Sequence, residues 1–285
     1  MIKINKIAVA TLLVMALAGT ICITGCSGKK EKSQTVKEKV EEKEEEIDSG
    51  EEEVLEENED DTEMNTNTTE GLVTDADYAD KTLAGKDLKI ASGYSVSYDD
   101  FKAPLINLKD GDVEKVNAEI KKVFDDQTKK FAEKLNEGGE VDIGYKSKYE
   151  AYLNGNVVSV VYDAIECDVT DYSNYYIYNI DKANGKLLSF ESLCKEVGMT
   201  AADAKEKFKK TIESNYKEME SDAFVDGETA DEFIKTTYAK FEDELSKGEV
   251  PFYIEGEGRL TFIFEMPLPS NLAGAGDMRT HYVLD

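Results

Sequence analysis

A run of β-branched residues in the middle of the chain predicts a buried strand. Its apolar members are Val157, Val158, Val160, Val161 and Ile165. β-Branched side chains pack well on a pleated sheet, and this run is too apolar for one of its faces to meet water. We therefore expect a strand in the centre of a sheet.

The segments on either side of this run predict its two neighbours. In Gly144–Leu153, Tyr and Ala alternate with Lys and Glu, which is typical of a half-buried strand. Asn154 and Gly155 are then expected to turn the chain into the central strand. After a polar break at 168–174, residues 175–181 predict a third strand, so that tight hairpins join all three.

The next segment contains a strong turn signal. Asn184 and Gly185 both tolerate positive φ angles, and this dipeptide commonly connects two antiparallel strands. The pattern predicts a hairpin whose returning strand is Leu187–Phe190. Residues 191–197 then predict a short helical turn.

Three segments repeat apolar residues at the period of an amphipathic helix. The first follows Asp112, a residue type that caps helices, and stops at Gly138. Its apolar positions lie three or four residues apart: Val113, Val116, Ile120, Val123, Phe124, Phe131 and Leu135. The second begins at Thr200 and the third at Thr229 or Asp231, each with one apolar stripe among Lys and Glu.

The end of the chain predicts further strands. Two apolar runs, 250–255 and 259–266, are expected to pair across the glycine-containing turn at 256–258, and 279–284 is expected to close the sheet. Hairpins with helices segregated between them indicate an α+β fold. We expect an antiparallel sheet built from hairpins, with three main helices packed on it.

The amino terminus has the features of an exported, lipid-anchored protein. Lys3 and Lys6 precede an apolar run at 7–18 that is short for a membrane-spanning helix. The sequence Ile-Thr-Gly-Cys ending at Cys26 resembles the lipobox of bacterial lipoproteins. The resemblance implies cleavage before Cys26, lipid on its sulfur and amino group, and a mature protein held on the extracytoplasmic face of the membrane. The alternative is a plain signal peptide that contains a cysteine.

The segment after the leader has no apolar core. Most residues from Glu41 to Glu63 are acidic, and Val54 and Leu55 are the only adjacent apolar pair among them. Such a chain cannot offset its ordering entropy by burying apolar surface. We therefore divide the protein into a lipoprotein signal peptide and lipobox (1–26), a disordered acidic linker (27–80) and an α+β domain (81–285). A cation-binding acidic tail is the other interpretation of the linker, but it lacks the spacing of a calcium loop.

The charge of the folded part limits its partners. Residues 81–285 contain 26 Lys or Arg and 40 Asp or Glu, a net charge of −14. Nucleic acid is excluded as a partner by this charge. A basic protein or a cation is electrostatically compatible with it, although acidity also serves solubility.

No residue pattern in the chain indicates a catalytic, metal or cofactor site. His281 is the only histidine, which excludes a histidine-based zinc site, and no nucleophile or glycine-rich phosphate loop accompanies it. We expect it to be a strand residue half in water. Cys167 and Cys194 lie in or beside apolar stretches, so we expect two packed thiols, with a disulfide as the alternative. Neighbouring carboxylates are too frequent to identify an acid/base pair: Asp99/Asp100, Asp125/Asp126 and Asp163/Glu166/Asp168.

Tyrosine is the residue type that most favours binding. The chain has 15 tyrosines and no tryptophan, and tyrosine provides contact area at a low cost in side-chain entropy. Several lie around the polar break after the central strand. Our predicted ligand-binding residues are Asp168, Asp171, Tyr172 and Tyr175.

Three segments resemble, in their order along the chain, the RsiV-like extracytoplasmic domain family. They are Pro104-Leu105-Ile106 with Val116-Asn117-x-x-Ile120, then Tyr178-Asn179-Ile180-Asp181 with Asn184-Gly185-Lys186-x-Leu188, then Leu272-Ala273-Gly274. This domain type occurs in lysozyme-sensing anti-sigma factors, beside deacetylase domains in peptidoglycan deacetylases, and in lipoproteins. The loop at 168–174 departs from the family's pattern, so no recognition residue is carried over from it.

The resemblance implies a non-catalytic binding or sensor domain at the cell envelope. The expected partners are the membrane, through lipid on Cys26, and one of two ligands. The ligand is either a basic protein, such as a lysozyme, or wall glycan. Two other functions stay open at this point. One is an envelope hydrolase that uses carboxylates or a metal, and the other is a structural lipoprotein in an envelope assembly.

Overall fold

The described part of the chain contains most of the predicted elements. The computed structural model describes residues 69–109, 111–219, 223–225, 227–272 and 279–284. The predicted signal peptide, the lipidation of Cys26 and most of the predicted linker therefore lie outside the described residues.

Eleven strands and four helices form in the described residues. The strands are β1 (Val73–Asp75), β2 (Asp87–Ile90), β3 (Ser95–Ser97), β4 (Pro104–Ile106), β5 (Glu140–Val141), β6 (Gly144–Asn154), β7 (Val157–Cys167), β8 (Asp171–Asp181), β9 (Phe252–Ile254), β10 (Leu260–Glu265) and β11 (Arg279–Val283). The helices are α1 (Val113–Glu137), α2 (Phe190–Glu196), α3 (Ala201–Lys217) and α4 (Ala230–Lys247).

The α+β class is confirmed, but the strands form four small sheets. Their orders are β1-β4, β3-β2-β5, β6-β7-β8 and β11-β10-β9. All pairs are antiparallel except β2 with β5. We call β6-β7-β8 the central sheet and β9-β10-β11 the carboxy-terminal sheet.

The predicted central strand is confirmed as β7. It pairs along its whole length with β6 and β8, and every residue from Val157 to Ile165 is buried. A tight turn connects β6 to it as predicted, but Asn154 ends β6 and the turn residues are Gly155 and Asn156. The burial of both faces explains why this strand has an almost continuous apolar sequence.

The predicted polar break at 168–174 is shorter in the structure. β8 begins at Asp171, which pairs with Cys167, so the turn comprises residues 168–170 only. The polar residues that follow form an edge strand, where side chains and solvent satisfy them: Asp171 forms an ion pair with Lys146 at 2.6 Å. Composition alone therefore predicted the start of the third strand too late.

The predicted returning strand at Leu187–Phe190 is wrong. One isolated bridge joins Leu187 to Ile180, and Phe190 instead begins α2, whose first turn is capped by the Ser189 hydroxyl. The ring of Phe190 contacts Phe252 of the carboxy-terminal sheet, with ring centroids 5.1 Å apart. Burial of this ring draws the chain away from β8 and into a helix.

The Asp112 side chain does not cap α1, contrary to the prediction. Its carboxylate accepts a hydrogen bond from the Leu187 amide at 3.1 Å, and its own amide donates to the Gly185 carbonyl at 2.8 Å. Gly111 lies so close to Gly185 that a Cβ there would be 2.4 Å from its carbonyl carbon. These contacts hold the loop after β8 against the start of α1.

The folded region begins earlier than the predicted boundary at residue 80. Strand β1 pairs with β4 in register from Val73 opposite Ile106 to Asp75 opposite Pro104, and Val73 is buried. Residues 69–80 therefore belong to the domain rather than to the linker.

The predicted helices are confirmed. Helix α1 is followed by Gly138 at φ 71°, and Thr200 forms a reciprocal capping box with Asp203 at the start of α3. The hydroxyl of Thr229 caps α4. None of the helices in the described ranges is long and apolar enough to cross a membrane.

The layers are stacked in the order helix, sheet, sheet, helices. One side of the central sheet packs on α1 in a core with Phe124 and Phe131, and we call it the helix side. The other side, which we call the sheet side, meets the carboxy-terminal sheet through Val161, Tyr253 and Ile263. The outer face of that sheet packs on α3 and α4 in a second core.

Candidate functional site

The turn between β7 and β8 is fixed by a neighbouring turn. Both Ser92 and Tyr94, in the connection between β2 and β3, donate side-chain hydrogen bonds to the Asp168 carbonyl, at 3.1 Å from Ser92. The two turns thus form one surface at this end of the central sheet.

Apolar side chains are concentrated on that surface. Six large hydrophobic residues in the described ranges are exposed: Tyr94, Val169, Tyr172, Tyr176, Leu187 and Val225. Four of them lie on the β7–β8 hairpin or against its turn, with Val169 at 75% and Tyr172 at 62% exposure. Scattered exposed hydrophobic residues are ordinary, whereas a group of them indicates a binding surface. We call Tyr94, Val169, Tyr172 and Tyr176 the hairpin surface.

The four predicted ligand-binding residues do not form one site. Strand alternation places Tyr172 on the helix side of β8 and both Asp171 and Tyr175 on the sheet side. Asp168 lies in the turn. The prediction grouped them by proximity in sequence, which in a strand separates neighbours onto opposite faces, so only Asp168 and Tyr172 belong with the hairpin surface.

A second group of polar residues lies on the sheet side. Asp163 of β7 is opposite Tyr175, is 2% exposed, and accepts a hydrogen bond from the Ser173 hydroxyl at 2.9 Å. The Lys148 ammonium is 4.0 Å from the same carboxylate oxygen, Oδ2, and the other oxygen has no hydrogen-bond partner. Burial raises the pKa of Asp163, and the Ser173 hydrogen bond and the Lys148 charge oppose the rise.

His281 borders this group from the carboxy-terminal sheet. Its ring contacts Tyr175, with centroids 5.1 Å apart, and its Nδ1 is 2.9 Å from the Tyr253 hydroxyl. Burial lowers the pKa of His281, and the negative charge of Glu150 partly opposes the shift. We call Lys148, Asp163, Ser173, Tyr175 and His281 the inter-sheet cluster.

The geometry separates the carboxylates that sequence placed together. Asp163 is on the sheet side of β7, whereas Glu166 is on the helix side and accepts a hydrogen bond from Lys130 of α1 at 3.1 Å. The two carboxylates therefore do not face one reacting atom, as an acid/base pair must. No group of three or more His, Cys, Asp or Glu in the described ranges is arranged to hold a metal ion.

The two cysteines are free thiols buried in different cores. Cys167 lies in the core with α1, and Cys194 in the core with α3 and α4. Burial raises the pKa of Cys167 to about 12 and that of Cys194 to about 11. Both stay protonated at neutral pH, which makes them poor nucleophiles.

The polar residues of the resemblance motifs hold the fold together. The side-chain amide of Asn117 bonds both the amide and the carbonyl of Ile106, at 3.0 and 2.9 Å. Asn179 accepts from Ser159 at 2.7 Å and donates to the Phe252 carbonyl at 2.7 Å, which joins the two sheets. Asp181 accepts from the Ala183 amide in the turn that follows. These motif residues position the elements and lie away from the hairpin surface.

Sequence reasoning missed part of both groups. Tyr94 and Val169 reach the hairpin surface through the contact between two distant turns, for which the sequence gives no signal. The sequence does contain a signal for Asp163, because a charged residue inside an otherwise apolar strand must find partners there.

Comparison of the chain with protein-family models and with curated proteins found no match. The resemblance to the RsiV-like family therefore stays a prediction.

Proposed function

We propose that the protein is a lipid-anchored binding protein of the bacterial cell envelope, without catalytic activity, whose domain holds a basic protein at the hairpin surface. The lipid on Cys26 would fix it to the extracytoplasmic face of the membrane, and the acidic linker would lift the domain away from that face.

The grouping of exposed aromatic residues on a rigid hairpin supports this proposal most strongly. Tyr172 and Tyr176 project from the same face of β8, and the turn beside them is held by Ser92 and Tyr94. A preorganised surface of this kind loses little entropy on binding. The net charge of −14 over residues 81–285 favours a cationic partner and steers it to the domain.

The alternative of a carboxylate hydrolase receives less support. Asp163 faces Ser173 and Lys148, and Glu166 is directed to the opposite side of the sheet. Asp163 is therefore paired with a hydroxyl and with an exposed lysine, not with a second carboxylate. Wall glycan, which also stacks on tyrosine rings, is retained as an outcome of the test.

The test measures retention of a lysozyme and of purified peptidoglycan by the immobilised full chain, for the wild type and Tyr172→Ser. Because anchoring aromatic residues contribute most of an interface's energy, we expect the variant to bind the lysozyme at least tenfold more weakly. Raising the salt concentration from about 0.1 M to about 1 M shortens the Debye length from about 10 Å to about 3 Å and should release the lysozyme.

Leu187→Ser is the matched control, since Leu187 is also exposed but lies at the other end of β8. It should bind like the wild type. Retention of neither probe, or equal loss in both variants, contradicts the proposal; retention of peptidoglycan alone makes wall glycan the ligand.

A further inference from the structure

Strand β8 is an outer strand of the central sheet over most of its length. The sheet has the order β6-β7-β8. At the end of β8, an isolated bridge joins Ile180 on its outer edge to Leu187. No described strand pairs with that edge from Asp171 to Tyr178.

The outward direction of the backbone groups follows from the contacts at the end of β8. The Asn179 carbonyl accepts from the Leu188 amide at 2.8 Å, and the Asp181 amide donates to the Lys186 carbonyl at 2.9 Å. The backbone N–H and C=O groups of both residues therefore point away from β7. Since backbone direction alternates along an antiparallel strand, Ser173 and Ile177 also direct their N–H and C=O groups outward.

The outer edge of β8 lacks three of the features that usually prevent further pairing, namely lysine, proline and a bulge. Natural edge strands are protected by lysine, proline or a bulge. The register of β8 with β7 is continuous from Val157 opposite Asp181 to Cys167 opposite Asp171, and residues 171–178 contain neither lysine nor proline. The opposite edge strand, β6, carries Lys146 and Lys148. One edge strand of the central sheet therefore carries lysines and the other does not.

We infer that an extended, cationic segment of the partner protein adds to the outer edge of β8 as a fourth strand of the central sheet. This inference rests on the proposed function and specifies how that partner is held. Backbone hydrogen bonds to Ser173 and Ile177 give affinity, and Tyr172 and Tyr176 contact alternate side chains of the added strand.

Charge decides between the two occupants that such an edge admits. A second copy of the chain brings its own −14 over residues 81–285, which repels the first. Asp168 in the adjoining turn, and Glu119 on α1 near Tyr178, add negative charge at both ends of the edge. A cationic segment is attracted by the same charges.

The test compares Ser173→Pro with Ser173→Ala in the full chain. Proline removes the outward N–H and is tolerated at such edge positions, whereas both variants lose the hydroxyl that bonds Asp163. We expect Ser173→Pro to bind a lysozyme at least tenfold more weakly than Ser173→Ala, with the circular dichroism spectra of the two variants unchanged.

A lysine-flanked strand peptide supplies a second probe that does not depend on the lysozyme. Peptide binding should slow hydrogen exchange at the Ser173 and Ile177 amides, whereas the Tyr172 and Tyr176 amides, which face β7, should change little. N-Methylation of alternate peptide residues should abolish binding for one set and preserve it for the other.

The outcomes separate the two proposals. Wild-type binding of the lysozyme with no difference between Ser173→Pro and Ser173→Ala overturns strand addition and leaves the proposed function intact. If the peptide protects the Ser173 and Ile177 amides but the lysozyme does not bind, strand addition stands and the proposed function is overturned. A dimer in sedimentation velocity that Ser173→Pro dissociates makes a second copy the occupant and overturns the cationic segment.

Discussion

At the scale of single residues, Asp163 is the one acidic or basic side chain that is buried in the described part of the chain. A carboxylate in the middle of a buried strand has one oxygen bonded by Ser173, with Lys148 at 4.0 Å, and one oxygen without a partner. An unpaired buried polar atom costs free energy. The protonation state of Asp163 should therefore change the stability of the folded protein.

Replacing Asp163 with Asn should stabilise the protein at neutral pH. Burial raises the pKa of Asp163 in the folded state, so its contribution to stability is fully present below the unfolded pKa of about 3.9 and is lost as the pH rises through the folded pKa. Asn has no charge to desolvate and avoids this loss. Urea unfolding of both proteins at several pH values should give a stability gain at pH 7 that disappears below about pH 4.

The pH dependence provides the check on that prediction. A variant that is less stable than the wild type at pH 7 would mean that the attraction between Asp163 and Lys148 outweighs desolvation. Lys148→Met is the control, because it removes the neighbouring charge and keeps the carboxyl group.

At the scale of elements, the spacing of apolar residues predicts those helices and strands that depend on the local sequence. The central strand, the helix from Thr200 and the hairpin across 256–258 were predictable because apolar period and turn chemistry agree there. The strand starting at Asp171 and the helix starting at Phe190 were not. The first belongs to the continuous pairing of β8 with β7 and the second packs on Phe252, and the local pattern shows neither contact.

The candidate site was predictable only in part for the same reason. Sequence identified the segment containing Asp168 and Tyr172, because tyrosines cluster there. It did not assign faces, since the true start of β8 was unknown and a shift of register exchanges the two sides of a strand. Tyr94 is brought in by tertiary structure alone.

Phe262 of β10 should be one of the residues on which the carboxy-terminal elements most depend. It is fully buried, and its ring contacts Phe208 of α3 and Phe241 of α4 with centroids 5.1 and 5.2 Å away. Phe262→Ala leaves a cavity between sheet and helices and should lower the free energy of unfolding by about 3–5 kcal/mol.

Denaturant unfolding measures this loss, with Tyr172→Ala as the control on an exposed ring. The control should stay within about 0.5 kcal/mol of the wild type. A loss below about 1 kcal/mol for Phe262→Ala would show that the second core does not depend on this ring.

At the scale of the whole molecule, the proposed function joins a predicted lipid anchor and a predicted acidic linker to the folded domain. The described residues form two cores on either side of a pair of sheets, and Val161, Tyr253 and Ile263 connect the sheets. The domain is thus a stiff support for the hairpin surface.

Cys26→Ala should release the protein from the membrane. Lipid on Cys26 would provide the apolar chains that stable anchoring needs. We expect the wild type in the membrane fraction and mass spectra with lipid on Cys26. An unmodified Cys26 in a membrane-bound wild type would contradict lipid anchoring.

The most direct test of the proposed function is a titration of the full chain with a lysozyme and with the same lysozyme after acetylation of its lysines. Acetylation removes positive charge and leaves the rest of the surface in place. Binding of the unmodified protein, weakened at least tenfold by acetylation and by Tyr172→Ser, is the predicted result. Equal binding of both forms, or binding of neither, would contradict it.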